Sequence, residues 1–357
     1  MTMKPSRAPD FWWRRRSLPG YALAPLGSIY GRIAGRRMAA PGESIGIPVI
    51  CLGNLVVGGA GKTPTAIEIA GVCRELGYRP GFLSRGYGGS ERGPIIVTPA
   101  VHTALQIGDE ALLLARRAPT VVAADRRAGA KLLAGVGVDV VVMDDGFQNP
   151  SVTKDLAIVV VDGSRGTGNG RVFPAGPLRA PLAAQVRRAH AVLVLGTGSG
   201  GDIVRLAARA ALPILRGSVV PLRRRGLRRR PYLAFAGIAH PEKFFATLEA
   251  AGAVVGHRMA FPDHHPFTDV ECEAILVQAK ARDLVPITTE KDRVRLSGRG
   301  GAAELLAQAT ETFPIRVRFE EPTRLSTLIG DAIARHGSAY RRSEFIATAS
   351  GAAPAPA

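Results

Sequence analysis

Residues Gly53-Asn54-Leu55-Val56-Val57-Gly58-Gly59-Ala60-Gly61-Lys62-Thr63-Pro64-Thr65 join a short apolar run, Ile47–Leu52, to a helical stretch, Thr63–Leu76. A strand that passes through glycines straight into a helix points consecutive backbone N–H groups at one spot, and the helix N-terminus adds positive potential there. Such a turn favours an anion, and the residues that follow specify which. A lysine at this place reaches terminal phosphates, and the adjacent Thr hydroxyl ligates Mg²⁺. Gly58, Gly59, Ala60, Gly61, Lys62, Thr63 and Pro64 are therefore the candidate ATP-binding residues. The strict G-x-x-x-x-G-K-[ST] spacing asks for glycine where Val56 stands, so the match is confined to the G-x-G-K-T end of the loop. A ligand-free glycine turn would account for the glycines but not for Lys62-Thr63 at the start of a helix.

Beyond that loop the chain alternates apolar runs with helical stretches: Val121–Ala123, Arg126–Ala134, Val138–Met143, Leu156–Val161 and Ala191–Leu195. This is the βαβ rhythm of a parallel sheet with both faces covered. The run ending Met143-Asp144-Asp145-Gly146 places two acids where a buried strand meets the loop layer, about 80 residues after the lysine. Together with Thr63, Asp144 and Asp145 are the candidate Mg²⁺ ligands, since phosphoryl transfer depends on a metal held against the phosphates. The expected fold is α/β: a P-loop-type parallel sheet flanked by helices, a second, smaller α/β domain and a basic amphipathic N-terminal segment. The expected boundaries are 1–40 for that segment, 41–222 for the loop domain, 223–231 for an arginine-rich linker, 232–336 for the smaller domain and 337–357 for a disordered tail.

Composition narrows the partners. Lys and Arg number 47 against 29 Asp and Glu, a formal net charge of +18 that suits an anionic partner. Residues 1–40 concentrate it: Lys4, Arg7, Arg14, Arg15, Arg16, Arg32, Arg36 and Arg37 interleave with Trp12, Trp13, Tyr21, Leu26, Ile29, Tyr30 and Ile33. No run of about 18 apolar residues is present, and prolines and glycines break the stretch from Leu18 to Ile33, so neither a spanning helix nor a cleavable signal fits. Two readings remain: an interfacial segment lying on an anionic membrane surface, or a helix packed on its own domain. Cys51, Cys73 and Cys272 are odd in number and widely spaced, which excludes a disulfide framework and a structural zinc site. Nucleic acid is not expected as a partner, because the arginine clusters lack an aromatic-basic RNA motif.

The loop motifs, taken in order, carry a resemblance. Gly58-Gly59-Ala60-Gly61-Lys62-Thr63-Pro64, Leu83-Ser84-Arg85-Gly86-Tyr87-Gly88, Gly108-Asp109-Glu110, Asp144-Asp145-Gly146-Phe147-Gln148, Gly168-Asn169-Gly170, Pro174-Ala175-Gly176-Pro177-Leu178-Arg179, Phe235-Ala236-Gly237-Ile238, Phe261-Pro262-Asp263-His264-His265 and Thr289-Glu290-Lys291-Asp292 resemble those of the tetraacyldisaccharide 4′-kinases, the lipid A 4′-kinases of Gram-negative bacteria. The resemblance runs from the N-terminal segment to about residue 330. It implies transfer of the ATP γ-phosphate to the 4′-hydroxyl of an acylated glucosamine disaccharide 1-phosphate lipid, peripherally at the cytoplasmic face of the inner membrane.

By motif match, the resemblance makes Asp109 and His264 the catalytic pair, with Asp263 orienting the histidine. A sugar hydroxyl is a poor nucleophile at neutral pH and gains from a positioned base. Arg85 and Arg179 are candidates for holding substrate or nucleotide phosphates, since a guanidinium fork matches phosphate oxygens, and Gln148 is a candidate substrate contact by analogy. Asn149, Ala111 and Ala180 depart from residues common in the family, His, Pro and Glu respectively. The rival reading is a membrane-associated P-loop switch ATPase. That class commonly carries a second lysine before the Gly-Gly pair, where this chain has Val57.

Overall fold

The computed structural model describes residues 8–349 except 60, 199, 223–226 and 228–229, so Ala60 and most of the expected linker lie outside the described residues. Nine strands form one sheet in the order Ile315–Phe319, Ile214–Pro221, Ala191–Leu195, Leu156–Asp162, Val49–Asn54, Val140–Met143, Pro80–Ser84, Thr120–Val122 and Ile95–Ile96. The seven inner strands run parallel, and only the two edge strands are antiparallel. The loop-bearing strand Val49–Asn54 lies at the centre, with Ile50 in register with Val142 on one side and Leu156 on the other. All six of its residues are buried.

Because strand side chains alternate between faces, this one strand feeds two cores. Val49 and Cys51 join Met143, Val159, Leu133 and Ile203 on one face. Ile50 and Leu52 join Ala66, Ile69 and Cys73 of helix Lys62–Glu75 on the other. All three cysteines are buried and free.

A second, four-stranded parallel sheet has the order Val254–Ala260, Pro231–Ala236, Val285–Thr288, Glu311–Thr312. Here the observed path departs from the expected division at residue 336. After Thr312 the chain returns to the large sheet, where Ile315–Phe319 pairs antiparallel with Ile214–Pro221. Ile315-Arg316-Val317-Arg318-Phe319 alternates apolar and charged residues, and Val317 is the one buried in the large-sheet core. Helix Pro322–Ala349 then adds Leu325, Ile329, Ala332 and Ile333 to that core.

The tail expected from residue 337 is thus helical through Ala349. Residues 338–349 contain neither glycine nor proline, so nothing in them stops the preceding helix. The Ala-Pro-rich end, 350–357, lies outside the described residues.

The N-terminal segment folds as a 3₁₀ turn, Asp10–Trp13, and two helices, Leu18–Ala22 and Ala24–Ala39. Its small residues face inward. A side chain at Gly27 would bring Cβ within 2.7 Å of the Val172 carbonyl oxygen, and one at Gly31 would meet Pro181. Trp12 is buried and donates Nε1–H to the Pro174 carbonyl at 3.0 Å, while Arg165 and Arg171 lie over the rings of Trp13 and Tyr21. Its large apolar residues face outward: Leu26, Ile29 and Ile33 are 55, 56 and 64 % exposed. Packing on the parent domain therefore accounts for the glycines and Trp12, and leaves the aliphatic stripe uncovered. Among the described residues no helix is long and apolar enough to cross a membrane.

Candidate active site

The glycine loop leaves the central strand at Asn54, whose side-chain amide donates to the Gly58 carbonyl at 2.6 Å and so closes the turn. Gly61 sits at φ +78°, where an L side chain is strained, and a Cβ there would also press on Leu195. Lys62 and Thr63 begin the helix and are both buried. Their partners are the acids at the end of the neighbouring strand. The Thr63 hydroxyl donates to Asp144 Oδ2 at 3.1 Å, and Lys62 Nζ lies 3.7 Å from Asp145 Oδ2.

Asp145 occupies left-handed backbone, φ +54°, which is uncommon for a residue with a Cβ and concentrates at functional sites. Arg179 braces it with a two-pronged contact, 2.9 and 3.2 Å, and donates Nε–H to the Val56 carbonyl. Gln148 completes this network, bonded to the Asn54 carbonyl at 2.7 Å, to Gln185 at 3.0 Å and to Arg179 at 3.4 Å. Arg179 and Gln148 thus tie the acid pair to the loop. Arg85 is exposed at the carboxyl end of Pro80–Ser84, apart from that network.

Burial, reinforced by the Glu110 charge, pushes the Asp144 carboxyl up to about 7. Burial also raises Asp145, but Lys62 and Arg179 outweigh it and hold that carboxyl below the usual range. Asp144 Oδ1 is buried with no partner among the described residues. A buried acceptor left unpaired beside a hydroxyl and a second carboxylate fits a hard cation. Among the described residues no three His, Cys, Asp or Glu side chains form a metal cage. A divalent cation there would take only one or two carboxylates and fill its shell from phosphates and water, the habit of Mg²⁺.

The second cluster is built across the two sheets. Asp109 and Glu110 open helix Asp109–Ala115 of the large-sheet unit, while Lys291 and Arg295 lie one turn apart on helix Glu290–Leu296 of the small-sheet unit. Lys291 Nζ meets Glu110 Oε1 at 2.6 Å. Arg295 meets Asp109 Oδ2 through Nη2 at 2.5 Å and Nε at 2.7 Å. The same oxygen lies 3.1 Å from His264 Nδ1. His264 itself sits at φ +56°, with its backbone N–H bonded to the Gly237 carbonyl and the Tyr87 ring edge-on to its imidazole.

Burial works against the Asp109 charge, but the His264 hydrogen bond and the Lys291 and Arg295 cations prevail and hold its carboxyl well below the usual carboxylate range. The sequence expectation for Asp263 changes here. Asp263 Oδ1 is 3.9 Å from His264 Nε2, beyond hydrogen-bond reach, whereas Asp109 holds Nδ1. Asp109, at 3.1 Å from Nδ1, is the nearer carboxylate to the ring. His265, the neighbour, turns away to stack on Phe261 and bond Glu271 at 2.8 Å.

Sequence reasoning quoted Lys291 within a motif without a role and passed over Arg295 and Glu110. The signal available was the four-residue spacing of two cations on one helix face, matched by two adjacent acids at another helix start. Asp109 and His264 are brought together as expected; Arg179 and Gln148 join the loop and the acid pair.

A mainly parallel sheet with a lysine-threonine loop facing two strand-end acids, and an acid–imidazole pair nearby, defines an α/β phosphotransferase. The family model described as tetraacyldisaccharide-1-P 4′-kinase matches residues 20–334, and the chain belongs to that family. The tetraacyldisaccharide 4′-kinase of Methylobacterium sp. (strain 4-46) is 53 % identical over 315 residues, covering 87 % of this chain and 92 % of its own. That of Bradyrhizobium sp. (strain BTAi1 / ATCC BAA-1182) is 47 % identical over 351 residues, covering 97 % and 100 %. The crystal structure of LpxK from Aquifex aeolicus in complex with ATP is similar over 88 % of this chain and 99 % of that one, at 26 % identity and a TM-score of 0.67.

Proposed function

We propose that this chain transfers the γ-phosphate of Mg²⁺-bound ATP to the 4′-hydroxyl of a tetraacylated glucosamine disaccharide 1-phosphate. The observation that carries this reading is the contact of the loop residues Thr63 and Lys62 with the strand-end acids Asp144 and Asp145, at 3.1 and 3.7 Å. Glu110, one residue from Asp109, acts on Asp144, and Lys62 acts on Glu110. The phosphate-gripping lysine, the acid pair and the acid–imidazole pair are read together as one site. Gly58, Gly59, Gly61, Lys62, Thr63 and Pro64 hold the triphosphate, and Thr63, Asp144 and Asp145 hold the cation. Mg²⁺ held by these residues would supply charge neutralisation at the phosphates. Arg179 and Gln148 keep the acid pair aimed at the loop, and Asp109 with His264 readies the hydroxyl. Arg85, exposed beside this site, receives a substrate phosphate.

The uncovered stripe of Leu26, Ile29 and Ile33, with Arg32, Arg36 and Arg37 on the same helix, supports peripheral attachment to an anionic surface at the cytoplasmic face of the inner membrane. A tetraacylated disaccharide partly sunk in a bilayer has to be met at that depth. The test is incubation of the purified protein with γ-labelled ATP, Mg²⁺ and the disaccharide 1-phosphate lipid. Label on the sugar, dependent on both metal and lipid, is expected. Full-rate ATP hydrolysis without lipid would instead favour a switch ATPase.

A further inference from the structure

A short strap, residues 171–179, joins the N-terminal segment to the phosphate loop. It doubles back on itself: Phe173 N–H donates to the Leu178 carbonyl at 2.9 Å, and Leu178 N–H to the Arg171 carbonyl at 3.0 Å. One arm carries the N-terminal segment. The Val172 carbonyl lies under Gly27, where a Cβ would come within 2.7 Å, and the Pro174 carbonyl accepts Trp12 Nε1–H at 3.0 Å. Asn169 Nδ2 donates to the Ala175 and Phe11 carbonyls at 3.0 and 3.4 Å, tying the two together. The other arm is zipped to the start of the phosphate loop. The Pro177 carbonyl accepts Val57 N–H and Arg179 N–H donates to the Leu55 carbonyl, both at 2.8 Å, with Leu178 bridged to Val56 between them. Val57 leads directly into Gly58, and Arg179 goes on to brace Asp145.

Of residues 171–179, Phe173 alone is exposed. It sits at the bend, 41 % exposed, with its ring edge-on to Trp12 at 6.0 Å and to Tyr30 at 5.5 Å between centroids. Tyr30 shares a helical face with Leu26 and Ile33, so Phe173 extends the uncovered stripe beyond the helix and onto the strap. Arg32, Arg36 and Arg37 on that helix are exposed, the charge complement of an anionic head-group layer, at whose depth aromatic rings settle.

We propose that Phe173 is a lipid contact whose insertion into an anionic bilayer fixes the strap and, through it, tightens nucleotide binding at the phosphate loop. This rests on the kinase reading above and adds a regulation to it: the loop grips its nucleotide best on the surface where the lipid substrate lies. The element that responds is the glycine turn. A Cβ at Gly58 or Gly59 would meet nothing within 4 Å, so apart from the Asn54 bond to Gly58 the order of that stretch is set by its ends. One end is the helix start at Lys62, and the other is Leu55–Val57, held by the strap. Fixing the strap removes freedom that the turn otherwise loses on closing round a triphosphate, and a site ordered beforehand binds more tightly.

The test uses the full chain with Mg²⁺ and a non-hydrolysable ATP analogue, read by calorimetry. It is run without lipid, with phosphatidylcholine vesicles, and with mixed phosphatidylglycerol and phosphatidylethanolamine vesicles at concentrations that sediment all the protein. No glycolipid is present. Anionic vesicles should lower the Kd of the analogue by about fivefold or more, the lower end of couplings between sites, and the analogue should tighten vesicle binding by the same factor, since such coupling is reciprocal. Hydrogen exchange over residues 54–59 should slow on the vesicles before any analogue is added. Phe173→Ser should bind the analogue as wild type does without lipid, stay on the vesicles through the aliphatic stripe, and show no gain there. Phe173→Trp, which keeps an interfacial ring, should recover the gain.

An unchanged Kd on anionic vesicles that carry all the wild-type protein would overturn the coupling. So would a full gain in Phe173→Ser, or a Phe173→Ser defect already present without lipid, which would make the ring a structural support only. An equal gain on phosphatidylcholine would overturn the anionic surface as the partner, and wild-type protein left in the supernatant would overturn the lipid contact itself. The gain in a protein that leaves the glycolipid unlabelled would overturn the kinase reading instead, with the coupling intact.

Discussion

The loop cluster and the acid–imidazole cluster are assembled by opposite means. Lys62 and Thr63 are adjacent in sequence, and their acid partners lie at the end of the strand next to theirs in the sheet. The sheet register alone brings them together. Asp109 meets Arg295 across 186 residues and His264 across more than 150, and those contacts exist only when the small-sheet unit is docked. On the proposed reading the first cluster grips a nucleotide whatever the second unit does, and the second turns docking into catalytic competence, so the two should fail differently when altered.

The largest effect is expected at the docked cluster. Asp109→Asn removes the charge that Arg295 and His264 share, and the rate of sugar phosphorylation should fall about 10²–10⁴-fold, the scale of a lost acid–base element, while nucleotide binding persists. The same variant has a pH signature. The folded carboxyl lies below its usual 3.8, so its contribution to stability is complete above that value and is lost as the pH falls through the folded one. Acid unfolding followed by circular dichroism should therefore begin with a steeper arm in the wild type than in Asp109→Asn. Parallel arms would show that the ion pair is not formed in solution.

Lys62→Ala sharpens the contrast from the other side. Phosphoryl transfer should fall about 10²–10³-fold, the cost of one lost electrostatic donor at a developing charge, and nucleotide affinity should fall with it. The Asp109 contacts are untouched, but Lys62 also holds the Asp145 carboxyl down, so acid unfolding should keep the Asp109 contribution and lose that of Asp145. An unchanged nucleotide affinity, measured calorimetrically, would remove the loop from the account.

The same asymmetry explains what could be read in advance. Val49–Leu52, the glycines and Lys62-Thr63 are contiguous, and each obeys a local rule of strand, turn or helix start. Asp144-Asp145 was legible because a buried strand ends there. Pro80–Ser84 is a central strand that opens on Pro-Gly, a pair that signals a turn, and only its pairing with Val140–Met143 and Thr120–Val122 reveals it. Ile315–Phe319 alternates as a strand should, yet nothing local says that it leaves the small sheet for the large one. Arg295 looks like surface charge, one more arginine in a chain rich in them. Its burial follows from the meeting of two helices from different units, which no window of sequence contains. Asp109 and His264 were found through resemblance to a family, and their contact is a tertiary fact.

A smaller effect separates two latches between the units. Lys291–Glu110 is half-buried at 2.6 Å, and Lys243–Asp162 is largely exposed at 2.9 Å. Lys291→Met leaves Glu110 facing Asp109 and Asp144 without its cation and should cost about 2–3 kcal/mol in chemical denaturation, in line with a buried charge stripped of its partner. Lys243→Ala should cost less than about 1 kcal/mol, the usual worth of a solvent-screened pair. Equal losses would mean that docking is held by diffuse charge and not by the helix-to-helix contact.

The smallest change in stability is expected farthest from both clusters. Ile29 and Ile33 touch solvent while Gly27 and Gly31 pack beneath them. Ile29→Ser with Ile33→Ser should therefore shift unfolding by no more than about 0.5 kcal/mol, as exposed substitutions do. Loss of that apolar area should nonetheless weaken sedimentation with anionic vesicles. Each residue removes on the order of 1–2 kcal/mol of membrane transfer if it is buried there. Soluble-substrate analogues would then be turned over normally and bilayer-embedded substrate poorly. Undiminished vesicle binding would return the segment to a purely intramolecular role, with Trp12 and the glycine contacts as its whole purpose.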